Sequence, residues 1–60
     1  MAEYAYFTDC TAAIEEGEWS ANQEGRRYAL VLLRDLFYVI PADVVESGKV
    51  IEVFKPVLVH

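Results

Sequence analysis

Residues 26–45 run Arg-Arg-Tyr-Ala-Leu-Val-Leu-Leu-Arg-Asp-Leu-Phe-Tyr-Val-Ile-Pro-Ala-Asp-Val-Val, and two architectures compete for them. In the first, Tyr28–Leu33 and Leu36–Ile40 form a hairpin around an Arg34-Asp35 turn. In the second, Ser20 caps a helix over about 21–39, with Gln23 at the third position of a capping box. Ala29, Leu30, Leu32, Leu33 and Leu36 suit a helix. The apolar residues, however, cover every helical face instead of one stripe, and Gly25 falls in the first turns. Leu36-Phe-Tyr-Val-Ile40 is aromatic and β-branched and runs into Pro41. Eight valines, three isoleucines and eight aromatic residues in the chain also favour sheet. The hairpin is therefore preferred, although Arg-Asp lacks the Gly or Asn that a two-residue primed turn wants. Apolar residues on both faces predict strands buried on both sides, as in a small barrel or a dimer interface.

Working outward, Ala2–Thr8 places Tyr4 and Tyr6 on one face of a strand. Ile14-Glu-Glu-Gly-Glu-Trp19 reads as a sharp turn at Gly17 leading into a strand. Pro41–Gly48, with Pro at its start and Gly at its end, predicts one helical or 3₁₀ turn. Lys49–Phe54 alternates as a further strand, and Pro56 relegates Val57–Val59 to an edge or a bulge.

Sixty residues make one small domain, expected to span 1–60. A chain of this size buries only about 60% of its unfolded surface, so it needs apolar burial, a staple or a partner subunit. With Cys10 as the one cysteine and His60 as the one histidine, neither an intrachain disulfide nor a zinc cluster can be drawn. No metal or cofactor is expected. The apolar runs Tyr28–Leu33 and Leu36–Ala42 fall short of the roughly 20 residues of a membrane span. The N-terminal residues do not read as a signal peptide, which makes a cytoplasmic location and no membrane partner the expectation.

Charge divides the chain unevenly. Residues 1–25 carry six acids and no Lys or Arg, whereas 26–60 carry five bases and four acids, for a formal net charge of −5. An acidic surface repels phosphate backbones, so a nucleic-acid partner is not expected and a basic protein surface is.

Three short stretches resemble the SH3 (Src-homology 3) family. Ala2-Glu-Tyr4-Ala-Tyr6 is similar to its opening Ala-Leu-Tyr-Asp-Tyr, and Ile14-Glu15-Glu16-Gly17-Glu18 to its diverging turn. Val39-Ile-Pro41-Ala-Asp-Val44-Val45 stands where the family has Tyr-Ile-Pro-Ser-Asn-Tyr-Val. The resemblance implies an all-β, SH3-like small barrel with one short 3₁₀ or helical turn. Lys49–His60 runs past the family's usual end, as an extra C-terminal strand pairing within the domain or with a second copy in a homodimer. The alternative fold is α+β with the central helix at about 21–39. Tyr4, Tyr6 and Pro41 match the family's peptide groove, but Val44 replaces a groove tyrosine and the third-strand Trp has no counterpart. Half the aromatic ladder that stacks on polyproline is thus missing, and proline-rich ligands are not expected.

Each candidate residue has a bland reading beside the functional one. Glu15, Glu16 and Glu18 are a solvated turn or an acidic docking patch; no His, Lys or third ligand stands beside them for catalysis. Trp19 is core, the preferred reading, or an exposed anchor of the kind enriched at interfaces. Cys10 reads as a buried structural thiol. Arg26 and Arg27 are expected to pair with the acids of residues 15–24. The function expected is a non-enzymatic interaction module, a small acidic accessory or inhibitor of phage or plasmid type. Its docking residues would come from Tyr4, Tyr6, Asp9, Glu15, Glu16, Glu18, Trp19 and Pro41. The alternative is a subunit of a small-barrel oligomeric enzyme whose site forms between copies.

Overall fold

The computed structural model describes residues 4–57. The decisive hairpin is present: β2 (Tyr28–Leu33) and β3 (Leu36–Pro41) pair antiparallel from Tyr28 opposite Pro41 to Leu33 opposite Leu36. Arg34 and Asp35 both adopt positive φ, 54° and 64°, which is the primed turn that matches the twist of the strands. Asp35 tolerates that region but Arg34 does not favour it, so the long apolar pairing on both sides holds the turn in place. β1 (Tyr6–Phe7) joins the far side of β3, and β4 (Lys49–Phe54) joins the far side of β2, giving the order β1-β3-β2-β4. The strand expected over Ala2–Thr8 is thus two residues long among the described residues, with Ala2 and Glu3 lying outside them. Leu58 and Val59 of the expected terminal edge segment also lie outside. The turn expected after Pro41 is a 3₁₀ turn at Ala42–Val44.

The stretch read as a diverging turn and strand is instead α1 (Cys10–Glu24), which removes the middle SH3 motif as a turn. Asp9 caps it, its carboxylate accepting from the Ala12 N–H at 3.2 Å. Gly25, left-handed at φ 63°, ends it, and the Ala21 carbonyl accepts from both the Gly25 and Arg26 N–H groups. The helix is hard to see because its buried face is made of small residues: Ala13, Gly17, Ser20 and Ala21. These recur at helical spacing, yet none is a large apolar residue of the kind that marks an amphipathic stripe. Gly17 is there because the Phe54 ring lies against it, where any Cβ would collide. The arrangement is β-rich with one helix, which fits the α+β class. The helix occupies 10–24 and not 21–39, and Ser20 sits inside it with its hydroxyl donating to Glu16 at 3.2 Å.

α1 covers one face of the sheet, where Ala13, Ala21, Tyr28, Leu30, Val39 and Phe54 form the core, flanked by Phe7, Cys10, Ile14 and Phe37. Cys10 is half-buried at the edge of this core. Ala29 and Val31 point to the opposite face and are also buried, so β2 is covered on both sides as expected. The cover on that side follows from topology. β3 and β4 both run antiparallel to β2, so residues 42–48 must travel from the Tyr28 end back to the Leu32 end. They cross the face away from α1, where Val44, Glu46 and Ser47 meet Leu33, Tyr38 and Ile40 around a hollow of about 220 Å³.

Candidate interaction surface

The outward side of α1 carries Thr11, Glu15, Glu18, Trp19 and Asn22, all exposed and all within one stripe at three- and four-residue spacing. Trp19 is 59% exposed, which corrects its reading as a core residue: the core-facing positions beside it, Gly17, Ser20 and Ala21, leave no depth for an indole. Glu15 and Glu18, three apart, repel each other. Glu24 stands at the negative end of the helix dipole, and no basic residue occupies the last turn. Each of these placements weakens the helix by a few tenths of a kcal/mol. Glu24 is offset by standing beside the Tyr28 hydroxyl and the Arg26 guanidinium, whereas Glu15 and Glu18 have no such partner among the described residues.

The remaining candidates separate from this stripe. Glu16 is half-buried and accepts the Ser20 hydroxyl, and Asp9 serves as the helix cap. Tyr6 lies on the sheet face away from α1, its ring 5.8 Å from that of Tyr38, and Tyr4 is at the rim of the hollow on that face. Pro41 is buried and pairs with Tyr28, which faces α1. Tyr6 and Pro41 therefore point to opposite faces, and the family's peptide groove is not assembled. The guanidinium of Arg26 makes its salt bridge with Asp43, donating at 2.8 Å and pinning the 3₁₀ turn to the start of β2. Of the acids of residues 15–24 only Glu24 stands near enough to favour its charge, without a salt bridge.

A second groove runs between α1 and β4, lined by Glu18, Asn22, Glu52, Phe54, Lys55 and Val57 among others, with Asn22 accepting from the Val57 N–H at 2.7 Å. Among the described residues no three His, Cys, Asp or Glu side chains are grouped to hold a metal ion, and no helix is long and apolar enough to cross a membrane. Sequence reading found Glu15, Glu18 and Trp19 but not Asn22 or Thr11. The signal was the spacing 11, 15, 18/19, 22, visible only once the segment is read as helix. A comparison with protein-family models, curated proteins and solved structures finds no match to this chain.

Proposed function

We propose that the chain is a non-enzymatic binding module that docks the outward stripe of α1 on a basic protein surface and so modulates a larger partner. The observation that carries this reading is Trp19, a large aromatic standing in solvent at the centre of a Lys- and Arg-free acidic stripe. Buried Trp anchors ringed by polar residues supply much of the affinity of protein interfaces. The flanking acids would steer a basic partner and set its orientation. Their placement against the helix's own electrostatic interest supports a role outside folding. The SH3-like likeness enters as a proposal about ancestry alone: Tyr6, the last residue of its first motif, lies on β1, and its last motif runs along β3 into the 3₁₀ turn, beside β1 in the sheet.

The test is quantitative capture from host lysate with wild type, Trp19→Ala, the double variant Glu15→Lys/Glu18→Lys, and Tyr6→Ala as a control on the other face. A bound protein should be lost with the first two variants, retained with the third, and released by salt. A protein held equally by wild type and Trp19→Ala would refute the α1 docking face.

A further inference from the structure

β4 presents a second surface, and its own side chains indicate the occupant. One side of the strand pairs with β2; along the other, no described residue pairs with it. The opposite edge, β1, is blunted by being only two residues long. β4 has six residues, and Val50, Ile51 and Val53 are 47%, 45% and 43% exposed. An uncovered apolar edge of this length is a template for another strand.

The bulge in β4 decides which strand. Glu52 pairs with Leu30 and Val50 with Val31, so Ile51 is the extra residue. Lys49, opposite Leu32, and Glu52, opposite Leu30, consequently stand on the same face, although an odd spacing would ordinarily put them on opposite faces. Consider two β4 strands set antiparallel about a two-fold axis between their Val50 residues. With Ile51 left out of the pairing in both strands, as it is against β2, each Lys49 then lies opposite Glu52 of the other copy on the side that faces α1, and Val50 meets Val50 on the reverse side. We propose that the chain forms a two-fold dimer by pairing β4 with β4 of a second copy in this register, merging two four-stranded sheets into one. The edge is complementary to itself in charge, which favours a second copy over a foreign strand. The small core points the same way: the largest fully buried side chains are Leu30 and Val31, and domains of this size commonly need association for stability. The β4 edge adjoins the outward stripe of α1, since Glu52 shares a groove with Glu18 and Asn22. Trp19 takes no part in the pairing, however, so loss of capture by Trp19→Ala and loss of the dimer by Lys49→Glu are read separately.

Sedimentation equilibrium of the wild-type chain across the micromolar range should give twice the chain mass of 6.8 kDa. Lys49→Glu and Glu52→Lys each set like charges opposite one another and should weaken the dimer about tenfold. Combined in one chain, they restore attraction and should restore the dimer. In a Cys10→Ser background, Val50→Cys should oxidise to a disulfide-linked dimer, whereas Val53→Cys, on the same face but off the axis, should not. Circular dichroism of each variant separates lost pairing from lost folding. A wild-type monomer throughout this range overturns the proposal and leaves the edge to a strand of another protein. Dimers indifferent to both single reversals, or lacking the Val50→Cys cross-link, overturn it as well.

Discussion

A methyl group on Gly17 would run into the Phe54 ring, and Phe54 is buried, so the ring has little room to retreat. Gly17→Ala gains about 1 kcal/mol of helix propensity. Overpacking should outweigh that gain, for a net loss of roughly 1–2 kcal/mol in urea denaturation. In a Phe54→Leu background the same substitution should become neutral or stabilising; if it destabilises both backgrounds equally, the contact is not its cause. Tyr28 supplies a second test at this scale. Burial, with Glu24 nearby, raises its phenol above the ordinary value of 10.0. The folded state thus favours the protonated form. Its contribution to stability is complete below the unfolded value and is lost as pH rises through the folded one. Stability should fall at alkaline pH, and Tyr28→Phe should flatten that part of the profile, as read by denaturation at stepped pH.

Among the elements, the hairpin and the helix contrast in how they are specified. Tyr28–Leu33 and Leu36–Pro41 have enough β-branched and aromatic residues to force a two-residue connection even through Arg34-Asp35. Replacing that pair by Asn-Gly, which enters positive φ without strain, should stabilise by about 1–2 kcal/mol and raise the melting temperature by several degrees. An unchanged melting temperature would mean the turn is unstrained. For α1, capping matters more because its packing face is small: Asp9→Ala should cost about 1 kcal/mol and should show first as lost helical signal in circular dichroism. The strands were legible because large apolar residues declare their period. α1 was not, because Ala13, Gly17, Ser20 and Ala21 are small for close approach and resemble a turn in composition.

At the scale of the whole molecule, one helix on one face and a crossover on the other leave, among the described residues, the outward stripe of α1 and the edge of β4 open. If pairing at β4 completes the fold, the melting temperature of the wild type should rise with protein concentration by mass action. Lys49→Glu should shift that dependence to about tenfold higher concentration, and a wild-type value independent of concentration would count against the dimer. The outward stripe of α1, proposed to dock a partner, behaves differently. Trp19 sits on the surface, so Trp19→Ala should change stability by no more than about 0.5 kcal/mol while abolishing partner capture. A large loss of stability would return Trp19 to a structural role.

The amino-acid sequence by itself determined the hairpin, the 3₁₀ turn after Pro41, the β4 strand and the excess of acids over bases in residues 1–25. Each of these depends on local pattern: apolar period, proline and glycine punctuation, and charge count. Tertiary structure alone decided that residues 10–24 are helical, that Trp19 is exposed, and that Tyr6 and Pro41 face opposite ways. The reason is that a small-residue helix gains its stability from what it packs against. Gly17 becomes intelligible only once Phe54, thirty-seven positions later, is laid across it.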